Sequence, residues 1–345
     1  MKVSIISDLA GFKRIKEDWG SLFERGEYSI FQSFEFSYYS WKFELSKNHQ
    51  NHLHVIEVRV KSLLVALFPL YIDPFKRLRY INDKHADFCD FLIHDNFDVE
   101  LMSSYLSRYI SSKSLYLINL KEDSVAYNLF RRGKFNNYYI QSFQKYSDLI
   151  FPRGSFPDRY DRYKSKNKAV FRRIKRVHHD KSHIILSRES DDFPLKDILI
   201  LKERMIKSGL RGPSFLGNDR LMLIEELFNS NRLVISIIHK DVDVHAISFI
   251  LKKSNEYLFW ISLFDNIKMI HIYNYILFIQ AVSNDSKVCI NFGRGAYDYK
   301  LTNFKPDVKL LFTVFVFQNK LQRIIFVSYR KVMVIIRKFY MAIKT

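Results

Sequence analysis

Twice along its length this chain runs through the same succession of hydrophobic patterns, and that succession restricts the fold more than any other feature. Leu53 to Val60 and Leu63 to Ile72 are β-rich runs joined by the short turn Lys61-Ser62, the pattern of a hairpin. An extended region from Leu78 to Ile93 follows, then a helical stretch from Val99 to Ile110, a strand at Leu115 to Leu120, a short helix after Ser124 and a strand from Tyr138 to Phe143. After an interruption the order returns. Leu233 to His239, a turn at Lys240-Asp241 and Val244 to Leu251 form a second hairpin, Tyr257 to Phe264 a third strand, Met269 to Ala281 a helix and Val288 to Phe292 a closing strand. The match lies in the order and type of elements, not in the residues. It predicts an α/β (α+β) chain of two similar domains, each a mixed, mostly antiparallel sheet flanked by helices. Ahead of them, Phe12 to Leu45 reads as helical, with Phe12, Ile15, Trp19, Leu22 and Phe23 at helical spacing.

A length of 345 residues is enough for two domains with proper cores. Two prolines and a glycine interrupt the periodicity at Phe151-Pro152-Arg153-Gly154-Ser155-Phe156-Pro157. The expected division is therefore 1–150, 151–317 and a tail, 318–345. In the tail Arg323, Arg330 and Arg337 recur at heptad distance, as do Lys331 and Lys338, while Ile325, Val332, Ile336 and Phe339 take another side and no acidic residue follows Asp307. Such a basic amphipathic helix suits an anionic membrane interface; docking of the same face on the protein is the competing expectation. A second basic stretch, Arg159 to Lys181, also offers a cationic helical face. The formal charge of +19 calls for an anionic partner of some kind, whether lipid, a phosphate-bearing substrate or nucleic acid. No nucleic-acid-binding motif accompanies it, so tRNA stays a minority option. Neither a signal peptide nor a spanning apolar run is evident, and Cys89 and Cys289 lie apart without zinc spacing, which places the expected chain in the cytoplasm, with a peripheral hold on the inner membrane face.

The segment richest in chemistry is Asn291-Phe292-Gly293-Arg294-Gly295-Ala296-Tyr297-Asp298-Tyr299-Lys300, where a strand ends in two glycines bracketing an arginine. With the strand, hairpin, strand, helix, strand order before it, this segment resembles the C-terminal signature of the acetyltransferase family named for CelD and BcsL (the BioF2-like domain), a branch of the GNAT superfamily related to the FemAB transferases. Phe31-Gln32-Ser33-Phe34-Glu35-Phe36 with Trp41 resembles that family's opening segment. The resemblance implies tandem GNAT-like domains, an acyl-CoA (acetyl-CoA) co-substrate with no permanently bound cofactor or metal, and an amine acceptor such as an amino sugar of bacterial surface polysaccharide assembly. Two departures stand out: the family usually has aspartate at Asn291, and the turn after the central strand, Phe264-Asp265-Asn266-Ile267-Lys268-Met269, lacks the glycine that ordinarily cradles a pyrophosphate.

Acyl transfer from a thioester to an amine needs a deprotonated nucleophile, a polarised carbonyl and a protonated leaving sulfur. On that chemistry Tyr299 is the expected proton donor to sulfur, and Arg294 and Lys300 face an anionic group. His271 and His245 are the histidines placed for proton transfer, and Asp265 either orients the amine or caps the next helix. Phe264, Asn266, Lys268, Gly293 and Gly295 are expected around the donor. Two alternatives stay open: a FemAB-like transferase using aminoacyl-tRNA on a cell-wall precursor, and a non-catalytic, membrane-associated assembly factor built on a degenerate acyltransferase fold.

Overall fold

The computed structural model describes residues 1–95, 97, 99–110, 113–132, 135, 137–154, 172, 180–284, 286–330 and 332. Most of the basic stretch 159–181 and of the tail beyond 330 lies outside the described residues. The chain divides into two compact units, Met1–Gln144 with Leu310–Thr345, and Lys145–Lys309. The divisions thus fall at 144/145 and 309/310, where the sequence reading placed 150/151 and 317/318.

In the first unit, strand β1 (Lys2–Ile6) precedes helices α1 (Leu9–Arg14), α2 (Lys16–Arg25) and α3 (Phe34–Phe43). The expected helical region, Phe12 to Leu45, is broken at Ile15, between α1 and α2, and again between Arg25 and Phe34, where the Ser33 side chain accepts the amide of Phe36 and starts α3. Strands β2 (His52–Val60), β3 (Leu63–Ile72), β4 (Arg77–Tyr80), β5 (Leu92–Ile93) and β6 (Ser114–Lys121) follow, with α4 (Val99–Ile110) ahead of β6 and α5 (Val125–Arg132) after it. β1, β2, β3 and β4 pair antiparallel in that order, and β4 runs parallel to β6. Lys61 takes the left-handed conformation (φ 56°) that a two-residue hairpin turn requires. Phe12 stacks on Trp19 with centroids 5.4 Å apart, and the indole N–H donates to the carbonyl of Gln32 at 2.8 Å, so the helices cover the sheet through buried aromatic surface.

The second unit repeats the plan. Strand β7 (Tyr138–Phe151) enters it at Lys145; β8 (Ser182–Leu186), α6 (Leu195–Lys207) and α7 (Asn218–Asn229) lead to β9 (Leu233–Lys240), β10 (Asp243–Lys253), β11 (Glu256–Phe264), α8 (Ile270–Ser283) and β12 (Val288–Arg294). β8, β9, β10 and β11 pair antiparallel, β11 and β12 parallel, and β12 antiparallel with the second half of β7. Ile250, Phe259, Ile272, Tyr275, Phe278, Ile290 and Phe292 form its core between sheet and α8. Helix α9 (Asp298–Phe304) and strand β13 (Asp307–Val316) complete the chain's regular elements up to the tail. From Leu311 on, β13 pairs antiparallel with β6 inside the first unit. Each unit is therefore a mixed, mostly antiparallel sheet flanked by helices, the tandem architecture that the resemblance implied.

Residues 320–330 of the tail are helical. Phe326 packs on Phe315, centroids 4.5 Å apart, and Arg330 donates to Gln141 at 2.9 Å, whereas Leu321, Ile324 and Ile325 face solvent. Among the described residues no helix is long and apolar enough to cross a membrane.

Candidate active site

Strands β11 and β12 are paired only at their bases. The register runs Glu256 to Cys289, Tyr257 to Ile290 and Leu258 to Asn291, after which β11 continues to Phe264 and β12 to Arg294 with no further pairing between them among the described residues. Just beyond that point Trp260 is an extra residue in β11, since Phe249 pairs with Ile261 and Ile250 with Phe259. Such a bulge bends a strand away from its neighbour. The wedge so formed is closed at its base by Phe259 and Phe292, whose rings stack at 6.0 Å, and by Phe304 against Phe292 at 4.8 Å.

The segment 291–300 forms the rim of β12. Asn291 is buried; its Oδ1 accepts the N–H of Gly293 at 2.9 Å and its amide donates to Glu256 at 3.3 Å. This bond tightens a second bulge, opposite β7, where Gly293 has a positive φ of 68°. Gly295 is also left-handed, at 85°, and a Cβ there would collide with the ring of Tyr297. The two glycines are thus backbone requirements of the turn. Lys300 sits on α9, only 5% exposed, and its ammonium donates to the carbonyls of Phe292 and, at 3.0 Å, Arg294. The expectation that Lys300 faces an anion gives way to this arrangement: the lysine draws the end of β12 onto α9, while Arg294 stays half-exposed.

Tyr299, beside it on α9, points into an aromatic corner. His271 lies across the face of Phe264 with centroids 4.6 Å apart, and its ring edge meets Tyr299 at 5.2 Å. Next to it the Tyr275 hydroxyl meets Ser262 Oγ at 3.0 Å. Burial, and then the neighbouring Tyr275, push ionisation of Tyr299 above the ordinary phenol range, so it keeps its proton at neutral pH. Burial lowers His271 to about 4. A neutral imidazole of that strength is a poor acceptor for an ammonium proton, and His271 serves as a wall of the corner rather than as its base.

On the other side of β11 stands a group that the sequence named only in parts. His245 Nδ1 lies 2.8 Å from Asp265 Oδ2, and Arg204 of α6 reaches the same carboxylate at 3.4 Å and Asp243 at 3.1 Å. Asp265 therefore does not cap α8. The N-cap is Met269 in a left-handed conformation, with no side-chain bond to the helix amides. Asn266 and Lys268 lie exposed on the connection between. What sequence reasoning missed was the pairing itself, since His245 and Asp265 meet only through the β10 and β11 register. Among the described residues no group of three or more His, Cys, Asp or Glu could hold a metal ion.

The sequence matches no protein-family model and no curated protein. Among solved structures, it is similar to FemX over 94% of this chain and all of that one, with a TM-score of 0.60 at 9% identity. A conserved protein of unknown function from Bacteroides thetaiotaomicron is similar over 91% of this chain and 99% of its own, at a TM-score of 0.59 and 12% identity. The C-terminal domain of a protein described as a lysylphosphatidylglycerol synthetase, from Agrobacterium fabrum, matches over 93% and 97%, at 0.57 and 8%. At such identities the likeness speaks for backbone architecture: over nearly its whole length, this chain has the fold of FemX.

Proposed function

We propose that the second unit is an N-acyltransferase of the CelD and BcsL type, transferring an acyl group from acyl-CoA to an amine on a nucleotide- or lipid-linked sugar. The observation that carries this reading is the parting of β11 from β12 with the protonated Tyr299 at the rim of the wedge. A thioester laid along the bare edge of β11 would find main-chain N–H groups for its carbonyl oxygen. The amine attacks the carbonyl carbon, and its surplus proton passes to Nε2 of His245, whose Nδ1 is held by Asp265. The carbon–sulfur bond then breaks, the sulfur takes the phenolic proton of Tyr299, and solvent restores that proton. Arg204 braces the Asp265 carboxylate from α6.

A thermal-shift titration with acetyl-CoA tests the reading: a donor site raises the melting temperature with ligand concentration, and no rise at about 1 mM argues against it. One observation favours a second reading. The turn from β11 into α8 has no glycine and begins the helix without a cap, which is a poor pyrophosphate cradle, and FemX and the lysylphosphatidylglycerol synthetase domain share the fold. In that reading the donor is an aminoacyl-tRNA and the acceptor a cell-wall precursor. Strongly salt-dependent tRNA binding without any acetyl-CoA shift would select it.

A further inference from the structure

Where the tail helix begins, the first unit carries a cavity of about 830 Å³ that the acyl-transfer chemistry does not use. Its size is that of a small-molecule site. One wall is the segment from Phe135 to Ile140, with Asn137, Tyr138 and Tyr139 on its surface, and the opposite rim is formed by Lys320 and Arg323 of the helix. This wall is fixed by the fold. Asn137 takes a left-handed conformation (φ 58°), and its carbonyl accepts the N–H of Phe317 at 2.9 Å, which ties the entry of β7 to the exit of β13. Phe135 is buried against Phe130 with centroids 4.5 Å apart, and Tyr139 packs on Phe326 of the helix at 5.9 Å.

Lys320 and Arg323 are three residues apart on a helix, so their side chains stand next to each other. No carboxylate lines the cavity, and among the described residues neither cation has an acidic partner. Such a pair suits one anion, and a phosphate group accepts charge-assisted hydrogen bonds from both. The aromatic and apolar wall asks for more than a bare ion, which would leave most of the cavity unfilled. What lies beside the cavity gives the class of occupant. Leu321, Ile324 and Ile325 form the adjoining side of the same helix and are exposed, so the two cations sit between the face docked through Phe326 and an apolar side open to solvent. Tyrosines at a boundary of that kind fit the level of lipid headgroups, ring toward the acyl chains and hydroxyl toward water. We propose that this cavity binds the headgroup of a single anionic phospholipid, its phosphate held by Lys320 and Arg323 and its acyl chains leaving past Ile324. A cationic surface attracts a bilayer as a whole, whereas this site selects one molecule. It stands whether or not the second unit is a transferase.

Isothermal titration of the full chain with dihexanoyl phosphatidylglycerol tests the site, the lipid being kept below its micelle concentration so that no bilayer is present. Saturable binding of one lipid per chain is expected. Dihexanoyl phosphatidylcholine, with the same chains but no net charge, should bind about tenfold more weakly or worse. The double variant Lys320→Gln, Arg323→Gln alters only exposed side chains and should weaken binding about 30-fold at an unchanged melting temperature, the worth of two cations at an anionic lipid. Ile140→Trp keeps every charge and narrows the cavity, so it should weaken binding as well. The proposal falls if no saturable binding is seen, or if wild type and the charge variant bind alike. It falls equally if inorganic phosphate displaces the lipid at equal concentration, which would make this a bare anion site, or if a short RNA does so, which would assign the cations to nucleic acid.

Discussion

The imidazole of His271 lies nearly parallel to the ring of Phe264, 4.6 Å away and inclined by 28°, in a corner where burial holds its pKa at about 4. His183, on β8, is likewise lowered to about 4, first by burial and then by His239. Both folded values lie below the ordinary 6.5, so the neutral forms are favoured by folding. Their contribution to stability is complete above pH 6.5 and is lost as pH falls from there through 4, at no more than about 1.4 kcal/mol per pH unit for each histidine. Urea unfolding at pH 7 and pH 5 should show a lower midpoint at pH 5, and His271→Phe should reduce that difference; a midpoint independent of pH contradicts the assignment.

Tyr299→Phe removes one hydroxyl and leaves Tyr275 bonded to Ser262. The variant is expected to fold with a loss of about 1 kcal/mol or less. Its kcat should fall by about 100-fold, the usual worth of a placed proton donor, with donor affinity intact. Unchanged turnover would remove Tyr299 from the chemistry.

Lys300→Met keeps the length of the side chain and abolishes its two hydrogen bonds to the carbonyls of Phe292 and Arg294. Both acceptors border the bulge of β12, and their loss should cost about 2 kcal/mol in a denaturant titration. A ligand-binding lysine would instead weaken donor affinity and leave the unfolding midpoint in place.

Asn291→Asp installs the residue more usual in the resembling family. The new carboxylate keeps the bond to Gly293 but exchanges a donated bond to Glu256 for repulsion between like charges. Repulsion raises its folded pKa, so the penalty, about 1–2 kcal/mol, is present at pH 7 and shrinks as pH falls through that pKa. Parallel urea titrations of variant and wild type at pH 7 and pH 4.5 should show the gap narrowing.

Helix 320–330 has two apolar sides, one docked through Phe326 and one, with Leu321, Ile324 and Ile325, open to solvent. Cosedimentation with vesicles rich in phosphatidylglycerol is expected, and the triple change to serine should weaken it about tenfold without lowering the melting temperature. Equal binding by both proteins would exclude this face as the contact.

Much of the architecture was legible because hairpins and the β11, α8, β12 succession announce themselves by a change of period, from alternation to helical spacing and back. The stretch from Ser182 to Asn229 was not. Helix α6 buries Ile198, Leu201 and Met205 yet leaves Leu195, Leu199 and Ile200 exposed, so its apolar pattern has no clear polar face to set the period. Strand β13 escaped for another reason, since its partner β6 lies far back in the chain and no local pattern records that pairing. In the candidate site, Gly293 and Gly295 were legible as turn formers, and both take left-handed conformations. Lys300 was misread because a lysine beside glycines resembles a solvent-facing cation, and only the fold of β12 against α9 reveals the carbonyls that hold it.

The return of β13 to β6 also dictates when the molecule can be finished. During synthesis the first unit emerges with the outer edge of β6 bare, and it stays so until the ribosome has made everything up to Val316. The half of the protein that is translated earliest is therefore the last to be completed, and a fragment ending near residue 150 would carry a sticky open ladder rather than a self-sufficient domain.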